Sequence, residues 1–71
     1  SEHDAAAEGL VLSLRMSNGV LRDEVIRGGF SDALIWGERN GLLGEHPEDS
    51  ARVQLTLRGR LLSNELFSRI V

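Results

Sequence analysis

Few side chains in this sequence are of the types that carry out catalysis or bind metals. The chain has no cysteine and only two histidines, His3 and His46, and His46 lies in an acidic segment with Glu45, Glu48 and Asp49. A metal site needs ligands that converge from rigid elements, and paired carboxylates need a cleft that perturbs their titration. A polar turn provides neither. We therefore predict exposed loop histidines, no catalytic or metal-binding residue, and no disulfide or iron–sulfur ligation in this chain.

The candidates for contacts beyond the domain are Arg15, at the end of the first helix pattern, Arg60, at the start of the last one, and Trp36. Each guanidinium can cap helix carbonyls or pair with an internal carboxylate, such as Glu8 or Glu65, or it can face a partner. Trp36 is the only tryptophan, and it serves either as a core residue or as an anchor in an interface. The residue types favour the structural roles and leave the interface roles open.

The apolar residues at the start of the chain have helical spacing. We predict a first helix over residues 2–16, capped by Ser1 or Asp4, whose apolar stripe is wider than one core contact requires: Ala6, Ala7, Leu10, Val11, Leu12 and Leu14. Asn18-Gly19 then reverses the chain. A short second helix follows over residues 21–27, and Gly28-Gly29 ends it.

A third helix is predicted over residues 32–40, with Ser31 as its cap and Phe30 and Ile35 as a hydrophobic staple. Asn40-Gly41 ends this helix in a Schellman motif that includes Leu42. The spacing then changes to that of a hairpin, with strands over residues 42–44 and 52–55 and a polar turn over residues 45–51.

Thr56 is the predicted N-cap of a closing helix, whose apolar stripe comprises Leu62, Leu66 and Ile70, with Leu61 and Val71 beside it. Gly59 is costly inside a helix, which indicates a close backbone approach. The predicted fold is a single α+β, mostly α, winged-helix-like domain over residues 1–71, with three helices, a two-stranded hairpin and a closing C-terminal helix. The predicted core is Leu10, Leu14, Leu34, Leu55, Leu62 and Leu66.

The composition is that of an ordinary folded domain, with 41% hydrophobic and 27% charged residues. The net charge of −3 argues against binding to nucleic acid or to anionic membranes, since both depend on basic residues. No apolar run is long enough for a membrane span, no signal peptide is visible, and the lack of cysteine fits the cytoplasm. The helix pattern begins at once without Met, so we interpret the chain as a fragment of a longer protein.

Two segments carry a resemblance to a known family. The segment Leu55-Thr56-Leu57-Arg58-Gly59-Arg60-Leu61-Leu62, entered from a strand, resembles the end of the C-terminal domain of oxygen-independent coproporphyrinogen III oxidase-like radical-SAM proteins. That family includes haem chaperones. The run from Glu8 to Met16, followed by Gly19-Val20, is similar to the opening of the same domain. The ordered match extends from about Glu8 to the last residue, and Gly37 departs from it where family members carry a bulky apolar residue.

The resemblance implies a parent protein with a (β/α) barrel-like catalytic domain. That barrel would hold a four-iron four-sulfur cluster, through a Cys-x-x-x-Cys-x-x-Cys motif, together with S-adenosylmethionine. The parent would oxidatively decarboxylate coproporphyrinogen III or bind and deliver haem. The present chain would be an accessory domain that covers or flanks the substrate side and holds no cofactor. Arg15, Trp36 and Arg60 would face the barrel, and an arginine could meet a porphyrin propionate.

In this reading the outer side of the first helix, around Val11 and Leu12, and the surface around Trp36 would be exposed in the chain alone, which would then tend to form a homodimer. The alternative is a free-standing winged-helix module that binds another protein. Binding to DNA is disfavoured, because the third helix carries Asp32 and Glu38 against one Arg39, and the turn between the strands is acidic.

Overall fold

A computed structural model describes residues 2–71 as five helices and a three-stranded antiparallel sheet. In chain order the elements are α1 (Glu2–Arg15), β1 (Val20–Leu21), α2 (Arg22–Arg27), α3 (Ser31–Arg39), β2 (Leu43–His46), β3 (Asp49–Leu55), α4 (Leu57–Leu61) and α5 (Ser63–Ile70). This order, with α2 and α3 followed by a hairpin, confirms the predicted α+β, mostly α, winged-helix-like fold.

The sheet has one strand more than predicted. Its order is β1-β3-β2, so β3 is the central strand, and Val20 of β1 pairs with Val53 of β3. The hairpin strands are also longer than predicted: β2 ends at His46 and β3 begins at Asp49, with an irregular register between Glu45 and His46. The segment 45–51 is therefore mostly strand, because backbone pairing continues almost to the tip.

The ends of the early helices differ from the predictions. Ser1 lies outside the described residues, and Asp4 lies within α1 and so cannot be its N-cap. Ser31 is the first residue of α3; the N-cap position belongs to Phe30, whose side chain makes no capping bond. Ser31 therefore marks the start of α3, but the predicted N-cap position is one residue too late.

The Schellman motif at the end of α3 is present. The Leu42 N–H donates to the Gly37 carbonyl at 2.8 Å, and the Gly41 N–H donates to the Glu38 carbonyl at 3.2 Å. Gly41 has a φ of 71°, which is the left-handed conformation this motif requires.

The closing helix is two helices. Leu62 has φ −114° and ψ 26°, and it is both the C-cap of α4 and the N-cap position of α5. Because the helical phase breaks there, residues on either side do not share one stripe. Leu61 and Val71, predicted beside that stripe, are each 77% exposed.

The core lies where α1, α3 and α5 meet the sheet, and its most deeply buried large side chains are Leu34, Leu42, Val53 and Leu66. Of the predicted core, Leu10, Leu14, Leu34, Leu55 and Leu66 are buried in one cluster, while Leu62 is only partly buried against it. In α1 the buried alanine is Ala7, and Ala6 is exposed.

Gly37 faces this core directly. A Cβ at position 37 would lie 2.7 Å from Leu43 Cδ1 and 3.1 Å from Leu66 Cδ1, so α3 packs closely against β2 and α5. A bulky residue has no room there in the present packing.

None of the helices formed by residues 2–71 combines the length and apolar character needed to cross a bilayer.

Candidate interaction surfaces

Arg15 is the last residue of α1 and is exposed at its edge with α5. Its guanidinium carbon lies 5.2 Å from the centroid of the Phe67 ring, within the range of a cation–π contact. Phe67 is itself buried in the core. Arg15 therefore covers the edge of the core with one part of its side chain, while the residue as a whole remains open to solvent.

Trp36 is partly buried and packs against the core from α3. The Arg69 guanidinium of α5 lies 3.9 Å from the centroid of the indole ring. The tryptophan thus has the core on one side and an arginine on the other. Trp36 therefore packs against the core, which is the first of its two predicted roles, and its role as an interface anchor stays a prediction.

Arg60 lies on the exposed side of α4, together with two leucines that have almost no internal contacts. Leu57 is 76% exposed and Leu61 is 77% exposed. Positions 57, 60 and 61 have the i, i+3, i+4 spacing of one helix face. We call Leu57, Arg60 and Leu61 the α4 face. It joins a large exposed apolar surface to one guanidinium.

The neighbouring arginine on α4 behaves differently. Arg58 Nε donates to the Asn40 carbonyl at 3.2 Å, so this side chain is used within the fold. The Arg60 side chain makes no hydrogen bond or ion pair with the residues that the structure describes. Of the two arginines on α4, Arg60 is the one available to a partner.

A second exposed apolar surface lies on α1. Val11 is partly buried, Leu12 is 62% exposed, and Glu8, Val11 and Leu12 line a shallow groove with Val71 at the end of the chain. We call Glu8, Val11, Leu12 and Arg15 the α1 face. Its exposure agrees with the prediction that the outer side of the first helix is wider than one core contact requires.

The three predicted contact residues do not form one site. Arg15, Trp36 and Arg60 lie on α1, α3 and α4, and within residues 2–71 no hydrogen bond, ion pair or ring contact joins any two of them. Leu57 and Leu61 were not predicted as surface residues, because the spacing of the apolar residues suits one continuous closing helix. The sequence pattern that could have indicated this surface is the i, i+4 spacing of Leu57 and Leu61, on either side of Arg58-Gly59-Arg60.

The surface formed by α2, α3 and the β2–β3 hairpin is not basic. Glu38 of α3 forms an ion pair with Arg22, and Arg52 Nε lies 3.4 Å from Asp49 Oδ2 in the hairpin. Arg22, at the start of α2, and Arg52, in β3, are therefore each paired with a carboxylate of the same chain. A DNA-binding arrangement would need them free for phosphates.

His46 is not the exposed loop residue that was predicted. It is the last residue of β2 and partly buried, and its Nδ1 accepts a hydrogen bond from the Glu48 N–H at 3.1 Å. Its Nε2 lies 3.1 Å from the Ser17 carbonyl oxygen, which can only accept, so Nε2 carries the proton. His46 thus ties the hairpin tip to the turn after α1.

Comparisons of the chain with protein-family models, with curated proteins and with solved structures find no match.

Proposed function

We propose that this chain is the accessory C-terminal domain of an oxygen-independent coproporphyrinogen III oxidase-like radical-SAM protein. It docks beside the substrate side of the catalytic barrel through the α4 face. The parent acts in porphyrin biosynthesis as an oxidoreductase, or it binds and delivers haem. The observation that carries the proposal is the exposure of Leu57 and Leu61, 76% and 77%, inside the segment on which the resemblance rests.

Some residues of the segment from Leu55 to Leu62 pack within the domain, and others face solvent. Thr56 caps α4 by accepting from the Gly59 N–H at 2.9 Å, and Gly59 is buried against Leu42. These residues serve the domain's own packing. Leu57, Arg60 and Leu61 serve no such purpose, and exposed contiguous apolar side chains gain free energy when a partner covers them.

Arg60 gives the docking face a polar group. A guanidinium next to apolar surface can form a bidentate contact with a carboxylate, which would be supplied by the barrel or by a porphyrin propionate. Arg15 and Trp36 already have internal partners in Phe67 and Arg69. Among the three predicted contact residues, Arg60 is therefore the one whose side chain has no such partner within the described residues.

The chemistry belongs to the parent's barrel in this proposal. The cluster would be held by cysteines outside this chain, which has none, and S-adenosylmethionine would be bound in the same barrel. What the present residues contribute is a rigid cover: a small domain whose α4 is fixed to the core by Thr56 and Gly59. Such a cover excludes water from a substrate opening and limits which molecules enter it.

The test compares amide hydrogen exchange in this chain with exchange in the full-length protein that contains it. The α4 amides are expected to exchange more slowly in the full-length protein, and Leu61→Glu in that protein should abolish the protection. The control is Ile35→Glu, which places the same charge on an apolar residue of α3 that is 45% exposed and should leave α4 protected. Equal exchange of α4 in both proteins, or an upstream sequence without the three-cysteine motif, would disprove the proposal.

The winged-helix-like topology favours a second candidate function, a free-standing protein-interaction module. Its helix pair α2–α3 and hairpin β2–β3 occupy the positions that contact DNA in related architectures, but the pairing of Arg22 and Arg52 with carboxylates directs it toward a protein. Titration with duplex DNA of mixed sequence distinguishes the two partners. Binding that weakens steeply as salt increases would indicate DNA and would contradict both candidates.

A further inference from the structure

Helix α1 presents a second stripe in addition to the one it buries. Glu8, Val11, Leu12 and Arg15 have the i, i+3, i+4, i+7 spacing of a single helix face. Ala7, Leu10 and Leu14 make up the stripe that packs inside. The α1 face therefore has an apolar centre, with a carboxylate one turn toward the N-terminus and a guanidinium one turn toward the C-terminus.

This arrangement is complementary to itself. In a contact between identical subunits related by a two-fold axis, residue i meets residue j and residue j meets residue i. An axis that passes between Val11 and Leu12 places two α1 helices antiparallel. Residues equally far from the axis then face each other, so Glu8 of each copy meets Arg15 of the other. A parallel arrangement would instead oppose like charges.

The intramolecular contact of Arg15 prepares it for this role. Its guanidinium is held 5.2 Å from the Phe67 ring centroid, and it makes no hydrogen bond within the described part of the chain. A side chain that is already positioned loses less rotamer freedom when it binds. The apolar centre is also extended at its edge by Val71, which is 77% exposed.

We propose that a second copy of this chain occupies the α1 face, in a two-fold symmetric dimer in which Val11 and Leu12 pack across the axis between two Glu8–Arg15 ion pairs. The α4 face lies outside this contact. The inference therefore does not depend on the proposed function and can hold or fail separately from it.

The contact is small, and the dimer is correspondingly weak. A 14-residue helix is about 21 Å long, so two such helices bury less than the roughly 800 Å² per partner of a standard interface. We expect a dissociation constant between about 10 μM and 1 mM, which places the equilibrium within reach of direct measurement.

Sedimentation equilibrium of the 71-residue chain, from about 10 μM to 1 mM at low salt, measures this association. Wild type is expected to dimerise, and Leu12→Glu should weaken the dimer by at least about tenfold because it places two carboxylates at the axis. Glu8→Arg and Arg15→Glu should each weaken it as well. The double variant Glu8→Arg/Arg15→Glu exchanges the charges and should restore association to within about threefold of wild type.

Leu61→Glu is the matched control, since it places the same charge on an even more exposed leucine, on the α4 face, and should leave the dimer unchanged. Circular dichroism of each variant establishes that α1 is still folded. A chain that is monomeric throughout the concentration range would overturn the proposal. So would a double variant that fails to recover, or a dimer that is lost in Leu61→Glu and kept in Leu12→Glu.

Discussion

Thr56 makes three hydrogen bonds that join otherwise separate parts of the chain. Its hydroxyl donates to the Gly41 carbonyl at 2.6 Å and accepts from the Gly59 N–H at 2.9 Å, while its own N–H donates to the Leu42 carbonyl at 3.0 Å. The end of β3, the turn after α3 and the start of α4 therefore meet at one residue. Gly59 lies directly over Leu42. This contact confirms the prediction that a glycine, which is unfavourable within a helix, is present here to allow a close backbone approach.

We expect Gly59→Ala to lower the free energy of unfolding by about 1–3 kcal/mol or more. The added Cβ would overlap the Leu42 carbonyl oxygen, which is a backbone atom and cannot move aside like a flexible side chain. Urea denaturation followed by the fluorescence of Trp36, the only tryptophan, measures the change.

Gly9→Ala is the control for that substitution. Gly9 lies within α1, and a Cβ there meets no atom within 4 Å, so only the helix preference of alanine acts. This variant should gain about 1 kcal/mol. A loss of stability at position 9, or no loss at position 59, would show that the space around these glycines does not control their substitution.

The elements differ in how well the sequence predicted them. The helices and the hairpin have strong local patterns and were found. Strand β1 consists only of Val20–Leu21, and its partners Val53 and Arg52 are far along the chain, so no local pattern marks it. The break at Leu62 is hidden for a different reason: apolar residues continue across it, and the spacing still suits one helix.

The same break explains what was missed on the surface. In a continuous helix Leu61 belongs beside the buried stripe, whereas in two helices it faces solvent with Leu57. Arg60 was predicted as a contact residue from the resemblance. What distinguishes it from Arg58 is that the Arg58 side chain is bound to the Asn40 carbonyl, in a segment far along the chain. Tertiary contacts of this kind leave no periodic signal in the sequence.

At the hairpin, we expect His46→Ala to release the tip from the turn after α1. The variant loses the bond from the Glu48 N–H and the bond to the Ser17 carbonyl, each with a net contribution of about 0.5–1.5 kcal/mol. The Glu48 amide should exchange with solvent faster, as measured by NMR. Glu45→Ala, one residue earlier on the same strand, keeps both bonds, so a similar increase in that control would contradict the role given to His46.

The whole molecule is small for an unassisted fold. Its principal dimensions are 33 × 22 × 19 Å, and its described core contains no buried polar or charged side chain. A domain of this length is stabilised by about 4–11 kcal/mol. Such a molecule nevertheless leaves apolar side chains uncovered on both the α1 face and the α4 face. Exposing them lowers solubility without strengthening the core, which is the observation that motivates the two contacts proposed above.

The stability of so small a domain should depend strongly on single core residues, and Leu66 is the residue best suited to test this. Leu66 is 0% exposed, and its Cδ1 would lie 3.1 Å from a Cβ built on Gly37, so it fills the space between α3 and α5. Leu66→Ala removes this packing and should cost about 2–5 kcal/mol, a large part of the total stability.

Leu61→Ala makes the same chemical change at a site that is 77% exposed and should shift the urea midpoint little. Because α4 and α5 were predicted as one apolar stripe, comparing these two leucines also tests the break at Leu62. Equal losses in the two variants would mean that both leucines are buried and that the helix is continuous.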